Sequence, residues 1–443
     1  MKCRAILLVL TSLAGASLGR SSGQVSQLPF DEREAAGPVL HRAIRVSQLF
    51  QGTPSTGFRG TSTISGDLAY TTGNIRHPAY ISYSGGGLFT INSPLGDTIY
   101  QNLQLSQGFT RRDWDLTLIN TFSYSPESPT GGASGIPGVG DLTGSGLGSL
   151  PPGIAPNQSI LSTNASRISN AIYTEFERRL DFNTSLSGSG AFGILHFPSG
   201  KGLNSQQESS SGAINYRLNP LNIIAANYQY ARYQFTSLNF AFQSPGFGVD
   251  YKRQWSRTVL SQVSFGPQWV LSSNTAQVPN RTRLAGNAEL NWERGDNSAS
   301  LGYSRGASGG SGALGGAEVD NVQGGFGRNL RRVWTAALTL SYARTVGLQS
   351  GSSTPTSGSG GTNSIVLPPQ SKIIGIYGGF QVTRRISRNM SAYVSYTAQQ
   401  QSLSFPGQTQ STANGTPANI LNGLSNIVGF GFGFTPPDKR LWR

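Results

Sequence analysis

Little in this chain of 443 residues can carry catalytic or redox chemistry. Its one cysteine, Cys3, lies at the extreme N-terminus, so no disulfide can form downstream of it. The three histidines, His41, His77 and His196, have no metal-ligand spacing, and no Ser-His-Asp set stands out. No metal, cofactor-binding or catalytic residue is therefore assigned, and an enzyme is not expected. Charged residues make up only 12%. Beyond the first residues no run of about 18 apolar residues occurs, which excludes a transmembrane helix. Disorder is excluded by the 16 Tyr, 21 Phe and 6 Trp, because a disordered chain is poor in aromatics and rich in net charge.

The N-terminus has the features of an export signal. Lys2 and Arg4 precede the apolar run Ala5–Leu13, and Ala14-x-Ala16 fits a peptidase site, with Ser17-x-Gly19 and Ser21-x-Gly23 as further sites. Residues 1–23 are expected to be removed. The net charge of +14 points to an anionic partner. For an exported chain that partner is lipid phosphate rather than nucleic acid.

The rest of the chain alternates with a period of two. Trp334, Ala336, Leu338, Leu340 and Tyr342 point one way, and Thr335, Ala337, Thr339, Ser341 and Ala343 the other. Segments 113–124, 283–292 and 428–434 repeat the pattern. Short basic turns join such segments in pairs: TRRDW (110–114), ERRLDF (177–182), YRLNPLN (216–222), YKRQWSR (251–257), WERGDN (292–297), GRNLRRVW (327–334) and TRRISRNM (383–390). Within WERGDN, Arg294-Gly295-Asp296 is read as a turn, not an adhesion signal. Long Gly/Ser/Thr/Pro-rich linkers at 125–166, 346–369 and 402–421 separate the hairpins. In an antiparallel sheet this alternation collects the basic turns at one end and the long loops at the other. Seven hairpins, a strand near 79–91 and the run 422–434 predict about 16 strands, with a range of 14 to 18.

Trp114, Trp255, Trp292, Trp334 and Trp442 each lie next to a basic cluster, as expected at a membrane–water interface. Trp114, Trp255, Trp292 and Trp334, with Arg112, Arg179, Arg332 and Arg385, are the expected interface anchors. The opposite face carries small and polar residues, and Asp115, Glu175, Glu177, Arg283, Glu289 and Gln381 are the candidate lumen-lining residues. The glycine-rich 138–144 and 310–316 lack the Lys-Ser/Thr ending of a phosphate loop and are read as loops.

These features resemble a Gram-negative outer-membrane β-barrel of the porin-like kind, over roughly 79–434. The segment SNIVGFGFGF (425–434) is similar to the aromatic last strand that the barrel-assembly machinery recognises, although nine residues, TPPDKRLWR, follow it. The resemblance implies an antiparallel transmembrane β-barrel, with short periplasmic turns and long extracellular loops. The expected layout is a signal peptide (1–23), a periplasmic lead-in or plug (24–60) with a short amphipathic helix within 31–50, a barrel (61–434) and a C-terminal tail (435–443). The implied location is the outer membrane, with its lipids and small polar solutes as partners and a possible homo-oligomer. The implied function is passive diffusion of small polar solutes through a water-filled lumen narrowed by loop 125–166. The alternative is a non-conducting barrel serving polysaccharide export or surface adhesion.

Overall fold

The computed structural model describes residues 38–437 and 439–440, except 54–56, 73, 75, 92–96, 127–165, 199–202, 237, 239, 276, 310–313, 350–370 and 405–422. Eighteen long strands account for nearly all of it. The first six are β1 (Val39–Thr53), β2 (Gly57–Thr71), β3 (Ala79–Ile91), β4 (Thr98–Thr110), β5 (Trp114–Pro126) and β6 (Ser166–Arg179). Next come β7 (Thr184–His196), β8 (Ser205–Asn219), β9 (Asn222–Phe235), β10 (Phe240–Ser256), β11 (Val259–Ser272) and β12 (Arg281–Arg294). The last six are β13 (Asn297–Ser308), β14 (Ala317–Leu330), β15 (Trp334–Gly347), β16 (Lys372–Arg385), β17 (Met390–Ser404) and β18 (Gly423–Phe434).

Each strand pairs antiparallel with its sequence neighbours, and β1 pairs with both β2 and β18. The sheet closes on itself and has no free edge. Closure is what lipid demands, since a bilayer core offers nothing to satisfy an open row of backbone N–H and C=O groups. Among the described residues no helix is long and apolar enough to cross a membrane.

The strand count is two above sixteen and at the top of the expected range. Much of the difference lies at the N-terminus. Residues within 24–60, expected as a lead-in or plug with a helix in 31–50, include the whole of β1. Its alternation explains the correction. His41, Ala43, Ser47, Leu49 and Gln51 are buried on the inner side, while Ile44 and Val46 are exposed on the outer. The tail is also partly built in, for Lys439 and Arg440 form a two-residue β19 against Leu40 and Val39. The expected signal peptide lies outside the described residues.

All seven basic turns close hairpins, and an eighth short connection at 72–78 joins β2 to β3. An even strand number brings the start of β1 and the end of β18 to this turn end. Of the seven, YKRQWSR is displaced: Tyr251–Ser256 belong to β10, and the turn is Arg257–Thr258. Arg294-Gly295-Asp296 is a hairpin turn, with Gly295 at φ 57. Arg331, in the 3-10 turn Arg331–Val333, has φ 50, a left-handed conformation that residues with a Cβ seldom adopt.

The β6–β7 turn is organised by one carboxylate. Asp181 Oδ1 accepts hydrogen bonds from the backbone N–H groups of Asn183 and Thr184, both at 2.7 Å. These donors, Asn183 first, hold the Asp181 carboxyl below its ordinary range. A depressed folded-state pKa means that the contribution is present above the unfolded value and is lost as pH falls through the folded one. In an NMR titration, the Asn183 and Thr184 amide shifts should therefore move together with a midpoint below the about 3.9 of a free aspartate.

Candidate lumen and its inward-folded flap

Alternation gives the wall two different faces. On β18, Val428, Phe430, Phe432 and Phe434 are exposed while Ser425, Ile427, Gly429, Gly431 and Gly433 face inward. The same outer belt continues through Ile64 and Leu68 on β2, Phe247 and Val249 on β10, Leu284 and Leu290 on β12, and Leu338 and Leu340 on β15. In water so continuous an apolar exterior would be very costly, at about 25 cal/mol per Å². In a bilayer it is the required surface.

At the turn end arginines stack on tryptophans of this outer face. The Arg253 guanidinium lies 3.9 Å from the Trp255 ring centroid, Arg384 5.2 Å from Trp334, and Arg111 5.7 Å from Trp114. Trp255 Nε1 also donates to Ser261 Oγ at 2.8 Å. Of the expected anchors, Trp114, Trp255, Trp292 and Trp334 occupy outward positions of this end, and the Arg112 side chain is 96% exposed. Arg179 is corrected. It alternates inward and pairs with Asp115 at 3.4 Å, because it shares the parity of Glu175 and Glu177. Arg384, not Arg385, stands over Trp334, since Arg385 falls on the inner parity of β16. The Arg332 side chain lies outside the described residues.

The inner face is polar and uneven. Around β1–β4 and β17 it is packed, with Ser82, Ser84, Asp67, Gln104, Thr397 and Gln399 all buried. Here Arg45 pairs with Asp67 at 3.5 Å, and Gln51 Nε2 donates to Ser425 Oγ at 2.9 Å across the closing seam. Around β5–β12 the wall is more open toward the turn end. Asp115 stands directly opposite Glu177, and Glu175 accepts from Tyr173 OH at 3.1 Å. Beyond this acidic strip lie Ser185, Ser187, Ser189, Ser211 and Asn215, joined by hydrogen bonds of 2.7–3.2 Å.

On the far side Glu289 accepts from Asn291 Nδ2 at 2.7 Å. It shares an inner row with Lys252, with Gln262 between them. Lys252 is close enough to feel the charges of Glu289 and Glu177. Gln381 donates to Thr383 Oγ1 at 3.2 Å on the inner face of β16. The six expected lining residues thus alternate inward, five into the wall and Arg283 into a separate construction. Lys252 escaped the sequence reading because YKR was taken as part of a turn. The alternation Asp250, Lys252 was the available signal.

That construction is a flap. Pairing between β12 and β13 stops at Gly286↔Arg305, although β12 runs on to Arg281 beside β11. Beyond this point the ends of β13, β14 and β15 lie across the inner face of β9–β12. Ala307 N donates to Gln268 Oε1 at 3.2 Å, and Tyr233 OH donates to Ala307 O at 3.1 Å. Arg281 Nη2 donates to Leu348 O at 2.7 Å. Tyr233, Phe235, Phe240, Phe242, Val270, Val278 and Leu348 form the main buried apolar cluster among the described residues. Phe235 is stacked between Phe240 and Phe242 at centroid distances of 5.0 and 6.2 Å.

A charge cluster holds the same flap. Glu318, its side chain 8% exposed, pairs with Arg283 and, at 2.7 Å, with Arg305. Asp320 lies 3.5 Å from Arg305 and 3.6 Å from Arg344. None of Glu318, Asp320, Arg305 and Arg344 was anticipated. Their parity is that of the outer face, and only the fold of the flap brings them inside. Loop 125–166, the expected constriction, lies almost wholly outside the described residues. Among those residues no cluster of three His, Cys, Asp or Glu could hold a metal.

No family model and no curated protein matches the chain. Solved structures are similar at low identity. OpdQ of Pseudomonas aeruginosa has 10% identity and a TM-score of 0.42, covering 91% of this chain and 99% of that one. The outer membrane protein OpdK of the same organism has 8% identity and a TM-score of 0.43 at 91% and 99% coverage. OccAB2 of Acinetobacter baumannii has 10% and 0.43 at 90% and 98%. At these values the assignment rests on the pairing and faces of this chain itself. Closed, antiparallel, apolar outside and polar within, the chain has the architecture of a membrane-spanning β-barrel.

Proposed function

We propose that this chain is a Gram-negative outer-membrane channel through which small polar solutes diffuse, with its basic turns at the periplasm and its long loops outside. The observation that carries the reading is the turn-end half of the inner face of β5–β12, a wall rich in Ser, Asn, Gln and charged residues inside an apolar belt. An 18-stranded barrel is wide enough for an aqueous path. The flap of β13–β15 supplies a narrowing, beside the one expected of loop 125–166. Outer-membrane lipids, the diffusing solutes and the barrel-assembly machinery are the partners of this reading, and a homo-oligomer is compatible with it. No catalytic role is assigned.

Purified protein in planar bilayers should give discrete conductance steps that grow with salt concentration. Absence of current, with folding verified by heat-modifiable migration, would reject the channel. A second reading, a non-conducting barrel serving polysaccharide export or surface adhesion, is favoured by one observation, the packed inner wall of β1–β4 and β17. The same measurement separates the two.

A further inference from the structure

At the turn end of β12, β13 and β14 a cleft of about 520 Å³ opens between Trp292, Arg294, Asp296, Asn297, Arg328 and Asn329. The register explains it. Arg294 is opposite Asn297, and Asn297 opposite Arg328, so two guanidiniums flank one amide on a single outward row. Elsewhere in the girdle Arg253, Arg384 and Arg111 are laid over tryptophans. Among the described residues Arg294 and Arg328 have neither a ring under them nor a carboxylate within ion-pair distance. Asp296 is the one acid of the lining, and its main-chain carbonyl accepts from Asn329 N at 2.8 Å. The cleft thus sets two guanidiniums against one carboxylate.

A second feature lies directly above. The next outward row is Trp292, Ala299 and Phe326, and the one after it Leu290, Leu301, Gly324 and Leu340. Ala299 stands between two large rings. A Cβ on Gly324 would meet nothing nearer than 3.8 Å. The outcome is a furrow, apolar and open, running from the cationic cleft up the lipid-facing wall. Guanidinium forks match phosphate oxygens in geometry and charge, and the furrow matches an acyl chain.

We propose that this cleft and furrow bind one anionic glycerophospholipid of the adjoining leaflet, its phosphate between Arg294 and Arg328 and an acyl chain over Ala299 and Gly324. The inference rests on the membrane-spanning reading above but not on conduction. It identifies a discrete lipid site in a girdle where Arg111, Arg253 and Arg384 are instead laid over tryptophans.

The test is native mass spectrometry of the full chain in non-ionic detergent, titrated with phosphatidylglycerol. Wild type should retain one lipid preferentially. Arg294→Gln with Arg328→Gln should weaken that first binding about thirtyfold, each guanidinium being worth about 1 kcal/mol at a lipid surface. Arg253→Gln with Arg384→Gln should change it less than about twofold, within the scatter of surface charges. Inorganic phosphate at millimolar concentration should not compete, because it lacks the chain that fills the furrow. Equal loss in both double variants would show a diffuse cationic belt and overturn the site. Competition by inorganic phosphate would overturn the lipid assignment, and retention by the Arg294/Arg328 variant would overturn both. If the Gln pair fails to fold, Arg294→Lys with Arg328→Lys retains the charge and should still lose affinity severalfold through loss of the forked geometry. A barrel that conducts without retaining lipid fails this inference alone. One that retains lipid without conducting fails only the channel.

Discussion

Gly431→Val should abolish barrel closure. Valine is a strong strand former, so intrinsic propensity alone predicts tolerance or a gain at this position. The closing seam predicts the opposite. Gly431 lies on the inner face of β18, opposite Tyr393 on β17 and Ser47 on β1. A Cβ there would stand 2.7 Å from Tyr393 Cε1 and 2.8 Å from the main-chain oxygen of Val46. The ring could turn aside, but the Val46 carbonyl belongs to β1, the strand that completes the cylinder, and moving it breaks the seam. Unpaired backbone groups in lipid cost several kcal/mol each. The expected result is loss of the compact, heat-modifiable form on detergent gels, with folded yield down by about tenfold or more, as for a loss above about 1.4 kcal/mol. Gly66→Ala is the control, since its Cβ would meet nothing within 4 Å. Wild-type yield of Gly431→Val would show that the seam is not packed as described.

Glu318→Gln should release the flap. Glu318 is the carboxylate shared by Arg283 and Arg305, and Arg281 and Arg344 add to the positive charge around Arg283. Without it, Asp320 alone faces four arginines. Removing one partner of a buried pair costs about 3–5 kcal/mol. The guanidiniums here are 30–44% exposed, and solvent screening lowers the figure to about 2 kcal/mol. That is enough to unseat strand ends held otherwise by an aromatic clasp and a few hydrogen bonds. Single-channel conductance in planar bilayers should rise, and the reversal potential in a KCl gradient should move toward chloride, because uncompensated arginines then line the mouth. Arg283→Gln added to Glu318→Gln should return selectivity toward wild type, a coupling that independent sites would not show. Unchanged conductance and reversal potential in Glu318→Gln would remove the flap from the permeation path.

Much of the fold could be read from residue alternation. Trp334–Tyr342, Leu284–Trp292 and Val428–Phe434 each lie on the face and in the strand that a period of two predicts. The basic turns were legible for the same reason, since Asn, Asp and Gly mark where the chain reverses. Reading failed where one local pattern suited two structures. The segment Val39–Thr53 is amphipathic as a helix and as a strand, and only the need of β18 and β2 for a partner selects the strand. Tyr251–Ser256 looked like a turn because it is basic, yet its strand continues beneath the girdle. Arg179 and Arg385 were assigned to lipid as members of the basic turns ERRLDF and TRRISRNM, while parity turns them inward.

Two things follow from the amino-acid order alone: the wall is made of strands with one apolar and one polar face, and the short basic turns gather at one end. Both depend on neighbours two residues apart, a distance over which the strand period is exact enough to assign faces. Closure through β1, the inward fold of β13–β15, and the meeting of Glu318 with Arg283 are of another kind. They join residues from separate strands through packing and charge, and parity along any single strand points Glu318 the wrong way. Only when β13 leaves β12 at Arg305 does an outward row come to lie inside the barrel.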